Sequence, residues 1–171
     1  MTSTASFLGY RRPDARVGIR NHVLVVPTVI CSAVVAERIA ASIAPVGAAL
    51  PHLAGCGQLG PDLALTHETL AAYCRHPNVG AVIVVALGCE QVVAQRLADE
   101  ARRAGKDAYI VAIQSEGGTL RATAKGIDIA PGAHVHTHNV ASTRGRGDLR
   151  AGPQSDSQSD SARIAEPPDP A

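Results

Sequence analysis

The sequence predicts a three-layer α/β domain built around a mostly parallel β-sheet. Short runs that are apolar throughout recur along the chain, and each is followed by an amphipathic stretch with helical spacing. Strands that are apolar throughout are typical of parallel sheets, because helices cover both faces of such sheets. A length of 171 residues, 46% of them hydrophobic, suits one domain of this kind with an aliphatic core.

The predicted strands and helices alternate along the chain. A strand at residues 22–29 precedes a helix that Ser32 caps and that runs to residue 43. The elements that follow are a strand at 46–53, a helix from Asp62 to about Cys74, a strand at 81–87, a helix at 90–104, a strand at 108–113 and a short helix to about residue 125. Right-handed crossovers between these strands would make residues 9–128 a flavodoxin-like or Rossmann-like domain.

Both ends of the chain are predicted to lie outside this domain. Residues 1–8 are interpreted as a flexible N-terminus, and residues 129–140 as one further strand. Residues 141–171 are rich in Ser, Asp, Gln, Gly and Pro. Their few apolar side chains cannot offset the entropy lost on ordering, so this segment is predicted to be a disordered tail.

Composition argues against several classes of function. A net charge of +1 and an aromatic content of 2% argue against nucleic-acid binding, which needs a basic field or a stacking platform. No apolar run reaches the ~20 residues of a membrane span, and no signal peptide is recognisable. Four cysteines without a C-x-x-C pair indicate reduced thiols, so we expect a cytoplasmic protein.

Reactive residues recur where the predicted strands end. Cys31 follows the first strand, His52 and Cys56 follow the second, and Cys89 and Glu90 follow the third. The turn after the fourth strand is Gly117-Gly118-Thr119. Parallel strands share one carboxyl edge, where open α/β folds bind ligands, so we expect these residues to converge on one crevice.

The alternative for each cysteine is a buried structural role, which is what most free cysteines have. Cys74, inside a predicted helix, is expected to be such a core residue. For the other three cysteines the two interpretations stay open, since only their position after a strand favours function.

Two further groups of residues have alternative interpretations. Arg12 and Arg20 precede the first strand and are candidates for binding a carboxylate, although a solvated charged segment is also possible. His134, His136 and His138 alternate, so in a strand they would share one face, either as metal ligands or as an exposed polar surface.

Four motifs then indicate a family. The segments GYRRPDARVGIRNHVLVVPTVICS, HLAGCGQLGPD, HPNVGAVIVVALGCE and IQSEGGT occur in this order. Together they resemble the altronate/galactarate dehydratase family, a group of sugar-acid dehydratases that also includes sulfo-lyases acting on sulfolactate. The later segment DIAPGAHVHTHNV resembles the end of the SAF-type β domain that accompanies this family.

The resemblance implies a hydro-lyase that removes water from an altronate- or galactarate-like hydroxy acid by metal-assisted β-elimination. It implies a divalent metal, iron(II) in first place, and a small hydroxy-acid or sugar-acid substrate. The implied catalytic residues are His52, Cys56, Cys89 and Glu90. The implied substrate-binding residues are Arg12, Arg20, Asn21, Cys31, Ser32, Gly117, Gly118 and Thr119, and the implied metal ligands are Cys56, Cys89, His136 and His138.

The chain also departs from the family pattern. Asp14-Ala15-Arg16 stands where the family has Asp-Gly-Arg, and Ile30-Cys31-Ser32 stands where it has Asn-Cys-Ser. The family's large C-terminal domain has no counterpart in this sequence, so we expect a second subunit that supplies it, or a homo-oligomer. The alternatives are a non-catalytic remnant or partner subunit, and an α/β module that binds a small molecule.

Overall fold

A computed structural model describes the backbone of residues 7–138 and 142–145 and the side chains of residues 9–133. In chain order the elements are β1 (Phe7–Arg11), β2 (Val17–Gly18), β3 (His22–Pro27), a 3-10 turn (Ile30–Ser32), α1 (Ala33–Ser42), β4 (Gly47–Ala49), α2 (Gly60–Arg75), β5 (Val79–Ala86), α3 (Ala94–Arg103), β6 (Asp107–Ala112), α4 (Thr119–His138) and β7 (Ser142–Gly145). The predicted α/β fold class is confirmed.

The main sheet has four parallel strands in the spatial order β4-β3-β5-β6. After β3 the chain moves outward to β4, then crosses back over β3 to place β5 on its other side. The direction of winding therefore changes between β3 and β5. Their carboxyl ends form the topological switch point, which is where open α/β sheets leave a crevice for ligands.

Alternating side chains of the strands build a core on each face of the sheet. Val23 and Val25 of β3, with Ile83 of β5, pack under α1 and α4. Leu24 and Val26 of the same strand β3 pack against α2 and α3 on the other face. All five side chains are at most 5% exposed, as expected for strands covered on both sides.

The first helix begins where the sequence predicts, whereas the next two do not. Ser32 is the N-cap residue of α1, but its side chain makes no capping hydrogen bond, because its hydroxyl hydrogen-bonds the carbonyl oxygens of Val29 and Val85. The N-cap of α2 is Leu59, and Pro61 lies in the first turn, where a missing N–H costs nothing. The third helix begins at Ala94 rather than at residue 90, because Glu90 is engaged in the preceding loop.

The predicted strand at residues 129–140 is wrong, because α4 continues as a helix to His138. Small residues allow it to pack closely on α1: Ala130 and Ala133 are fully buried, and a Cβ on Gly126 would overlap the Ile39 side chain. This burial outweighs the cost of Pro131 inside the helix. A helical backbone does not place residues of period two on one face, so the geometric reason for a three-histidine metal site no longer holds.

The prediction of unstructured ends is also wrong in part. β1, which begins at Phe7, pairs antiparallel with β2 and with β7, a strand of the predicted tail. Strand pairing uses backbone groups, so a polar composition does not prevent it. Residues 1–6, 139–141 and 146–171 lie outside the described residues, and the predictions for them stay predictions.

Within the described residues, no helix is both long and apolar enough to cross a membrane.

Candidate functional site

Four loops follow the carboxyl ends of the parallel strands and surround the switch point. In spatial order they are residues 50–59 after β4, 28–32 after β3, 87–93 after β5 and 113–118 after β6. Backbone contacts join them: Ile30 N–H donates to the Ala54 carbonyl at 3.2 Å, and Gln114 N–H donates to the Leu87 carbonyl at 3.1 Å. The predicted convergence of the four loops at one sheet edge is therefore observed.

Thr28 and Glu90 join the two central strands of this crevice. The Thr28 hydroxyl donates to Glu90 Oε1 at 2.6 Å, Gly88 N–H donates to Oε2 at 2.6 Å, and Leu87 N–H donates to Oε1 at 3.2 Å. Burial opposes ionisation of Glu90, but these hydrogen bonds outweigh it and lower the pKa of its carboxyl group. The carboxylate is therefore ionised and accepts hydrogen bonds from three donors. It is consequently a weak base.

His52 is also engaged by the backbone. Its Nε2 lies 2.8 Å from the Pro27 carbonyl oxygen, and its Nδ1 accepts a hydrogen bond from Ala54 N–H at 3.2 Å. A carbonyl oxygen can only accept, so the proton is on Nε2 and the lone pair is on Nδ1. This pattern uses both ring nitrogens to connect the end of β3 to the loop after β4.

Three exposed cysteines lie on the loops around the switch point. Cys31, Cys56 and Cys89 are exposed, whereas Cys74 is buried in the core as predicted. A neighbour of each exposed cysteine takes part in a contact between loops, as in the hydrogen bond from Gly57 N–H to Gln91 Oε1 at 3.2 Å. The three thiols therefore lie on adjoining loops around the switch point.

Other predicted substrate-binding residues at this edge differ in accessibility. Ser32 is fully buried and its hydroxyl is already hydrogen-bonded, so it supports the loop rather than facing a ligand. Gly117 and Thr119 are exposed at the start of α4, next to the half-buried Gly118. Gly117 and Gly118 have φ values of +80° and +120°, conformations that favour glycine in this turn.

The structure places Arg12, Arg20 and Asn21 at the opposite edge of the sheet. Arg12 is 5% exposed and donates to the Pro77 carbonyl and to Asn21 Oδ1, both at 2.8 Å, just before β5 begins. Arg20 and Asn21 line a separate cavity of about 390 Å³ at this amino-terminal edge. A single site containing these residues together with the thiols is therefore not formed within the described chain, and Arg12 has a structural role.

The described residues do not by themselves fit a metal centre. No three His, Cys, Asp or Glu side chains among them come together as a group that could hold a metal ion. Of the four implied ligands, Cys56 and Cys89 are at the crevice, while the side chains of His136 and His138 lie outside what the structure describes. Two thiolates are fewer than the coordination number of iron(II) or zinc requires.

Thr28 is the central residue that the sequence prediction missed. It is fully buried at the end of an apolar run, and its partner Glu90 lies 62 positions further along the chain. A polar side chain that ends an otherwise apolar strand was the available signal. Burying a hydroxyl is costly unless it is hydrogen-bonded, so a partner at the neighbouring strand end could have been expected.

These features define an α/β domain with exposed cysteines on the loops around its topological switch point, the place where such folds bind ligands. A sequence model of the family described as "D-galactarate dehydratase/Altronate hydrolase, second domain" matches residues 9–136, about three quarters of the chain. The chain belongs to this family, and the predicted family is confirmed.

The chain is similar to three curated relatives over part of their length. It is 46% identical over 101 residues to a (2R)-sulfolactate sulfo-lyase subunit beta from Chromohalobacter salexigens, covering 59% of this chain and 25% of that protein. It is 40% identical over 94 residues to an altronate dehydratase from Bacillus subtilis, covering 50% and 19%. It is 41% identical over 98 residues to an altronate dehydratase from Escherichia coli, covering 51% and 20%. The chain thus spans a quarter or less of these relatives, and no solved structure matches it significantly.

Proposed function

We propose that this chain forms one wall of the active site of a dehydratase-type lyase that acts on a small hydroxy acid of the altronate or galactarate kind. The observation that supports the proposal is the position of Cys31, Cys56 and Cys89, exposed at adjoining strand ends of a domain that belongs to this family. The relatives named above are a sulfo-lyase subunit and two altronate dehydratases, which supports elimination chemistry.

The proposed reaction breaks two bonds of the substrate. A base removes the proton on the carbon next to the carboxylate, the electron pair of that C–H bond forms a C=C bond, and the β-hydroxyl leaves as water after receiving a proton. The resulting enol tautomerises to a 2-keto-3-deoxy acid. The described residues contribute a preorganised crevice with exposed thiols and the Gly117-Gly118 turn.

The engagement of His52 and Glu90 favours a component of a larger enzyme over a chain that acts alone. Both ring nitrogens of His52 are hydrogen-bonded, and the Glu90 carboxylate is held by three donors. His52 cannot accept a substrate proton without losing a contact that shapes the crevice, and the hydrogen bonds to Glu90 lower the pKa of its carboxyl group, which makes it a weak base. We infer that the groups that transfer protons come from another polypeptide or from a further part of the same protein.

The surface around the crevice fits such a partner. Leu53, Leu59 and Leu120 lie on or next to the crevice loops and are 86%, 76% and 79% exposed. Large apolar side chains clustered at one edge are typical of interaction sites. The occupant we propose is the polypeptide that supplies the rest of the length of the curated relatives, of which this chain spans a quarter or less.

A divalent metal, with iron(II) as the first candidate, belongs to this proposal only if further ligands come from outside the described residues. Metal content provides a direct check. The purified chain should retain less than one equivalent after dialysis, and a complex with the partner polypeptide should retain one.

The activity test uses the full chain alone and together with a polypeptide that supplies the remaining length of a family member. D-altronate, D-galactarate and (R)-sulfolactate are incubated with ferrous or manganous ion, and 2-keto acid formation is followed by NMR. We expect product only from the combination, and at least tenfold less with Cys56→Ser or Cys89→Ser. The control Cys74→Ala removes a core thiol and should lower stability rather than turnover per folded molecule. No product from any combination would overturn the proposal.

A further inference from the structure

A groove lined by both polar and apolar groups lies between the N-terminal halves of α2 and α3, toward the carboxyl edge of the sheet. It has a volume of about 390 Å³, and its lining includes Gly60 and His67 from α2, Gln91 from the preceding loop and Arg96 from α3. Both helices begin at this edge, at Gly60 and Ala94, so the positive ends of their dipoles point toward it.

Arg96 is the unpaired cationic group of the groove. Its guanidinium group presents five donors, is exposed, and makes no hydrogen bond or ion pair within the described part of the chain. His67 Nε2 also has no hydrogen-bond partner among the described residues, but it is buried below the surface, so a ligand in the groove does not reach it.

The charge balance of the groove favours an anion. Glu68 also lines it, but its carboxylate is paired with Arg75 at 2.6 Å. The guanidinium group of Arg96 is therefore the uncompensated charge. Planar guanidinium groups bind carboxylates through two parallel hydrogen bonds, which gives both affinity and orientation.

Gln91 connects this groove to the crevice. Its Oε1 accepts the hydrogen bond from Gly57 N–H at 3.2 Å, next to Cys56, and its amide group borders the groove. A ligand held by Arg96 can thus extend toward the loop that contains Cys56. Arg12, in contrast, is buried at the other end of the sheet.

We propose that the α2–α3 groove binds the carboxylate of a small hydroxy acid, with Arg96 as the bidentate donor and the Gln91 amide as a further partner. This inference rests on the proposed lyase function for the identity of the ligand, and it assigns the carboxylate to Arg96 in place of Arg12 and Arg20. The unpaired guanidinium group of Arg96 in this groove is independent of that function.

The test is calorimetric titration of the full chain with D-galactarate, using galactitol as the matched neutral polyol. We expect galactarate to bind and galactitol to bind at least tenfold more weakly. Arg96→Gln should weaken galactarate binding at least tenfold, because it removes the bidentate donor. The control is Arg38→Gln, an exposed arginine on α1 that has no ion pair among the described residues.

The outcomes separate this inference from the lyase proposal. If galactarate and galactitol bind alike, if Arg96→Gln binds like wild type, or if no binding occurs, the groove assignment is overturned. If binding depends on Arg96 and the complete enzyme produces no keto acid, the groove stands and the lyase proposal fails. If turnover persists in Arg96→Gln with an unchanged KM, the lyase proposal stands and the groove fails.

Discussion

The Thr28 hydroxyl donates to the Glu90 carboxylate at 2.6 Å across the point where the sheet changes its direction of winding. Thr28 follows β3 and Glu90 follows β5, so this hydrogen bond joins the two strand ends that form the base of the crevice. The same carboxylate receives Gly88 N–H, which shapes the loop containing Cys89. One ionised group therefore determines the conformation of the central loops.

Thr28→Val should lower the free energy of unfolding at pH 7 by about 1.5–3 kcal/mol, the usual worth of a hydrogen bond to a charged group. Thr69→Val is the control, since that exposed hydroxyl bonds only the Leu65 carbonyl within α2, and its effect should stay within about 0.5 kcal/mol. Urea unfolding measures both.

The same variant should raise the Glu90 pKa, which NMR titration can measure. Because the folded state lowers this pKa, the stabilisation is present at neutral pH and is lost as the pH falls through the lowered value. The difference between wild type and Thr28→Val should therefore shrink in acid. An unchanged Glu90 pKa in the variant would contradict this account of the crevice.

Gly55→Ala should be much more damaging than Gly57→Ala, although both glycines have positive φ, +95° and +67°. A Cβ on Gly55 would overlap the Thr28 carbonyl oxygen, whereas a Cβ on Gly57 would meet nothing within 4 Å. We expect a loss of about 1–2 kcal/mol for Gly57→Ala from backbone strain alone. For Gly55→Ala we expect more than about 3 kcal/mol, because the loops after β3 and β4 must also separate. Equal losses of unfolding free energy in the two variants, measured by urea unfolding, would show that the close approach of Gly55 to the Thr28 carbonyl does not affect stability.

A thiol-reactive reagent should modify three cysteines of the native chain rapidly and the fourth only on unfolding. Cys31, Cys56 and Cys89 are exposed, while Cys74 is buried and its burial raises the pKa of its thiol to about 12. Peptide mass spectrometry identifies the sites. Each single serine variant of the exposed three should lose one rapid equivalent. Rapid modification of Cys74 in the native protein would contradict its burial in the core.

Lys106 should make stability rise with pH above neutrality. It is 5% exposed, and burial, with repulsion from Arg12 and Arg16, lowers its pKa to about 7. Above that pH the Lys106 side chain holds its proton more strongly in the unfolded chain than in the folded chain, so the free energy of unfolding rises with pH. Wild type should therefore gain stability relative to Lys106→Met, by at most about 1.4 kcal/mol per pH unit. The control is Lys125→Met, because Lys125 is exposed. If the difference in unfolding free energy between wild type and Lys106→Met does not change with pH, the prediction is refuted.

The sequence by itself determined the layer order, the four parallel strands and the family. Apolar strands followed by amphipathic helices have few ways to bury both faces of a sheet, and chain direction then places Cys31, Cys56 and Cys89 after strand ends. These properties depend on local patterns, so they can be read from short segments.

Only the tertiary structure decided what each group at the site does. Whether Glu90 acts as a base or holds the loops together depends on its hydrogen bond from Thr28, 62 positions away. Whether Arg12 binds a substrate or the backbone depends on the Pro77 carbonyl, 65 positions away. Similarly, α4 extends past the predicted stop because its small residues pack on α1. Contacts between residues distant in sequence leave no periodicity in either segment. A pattern along the chain can therefore indicate that a buried polar group such as Thr28 needs a partner, but it does not identify which distant residue supplies that partner.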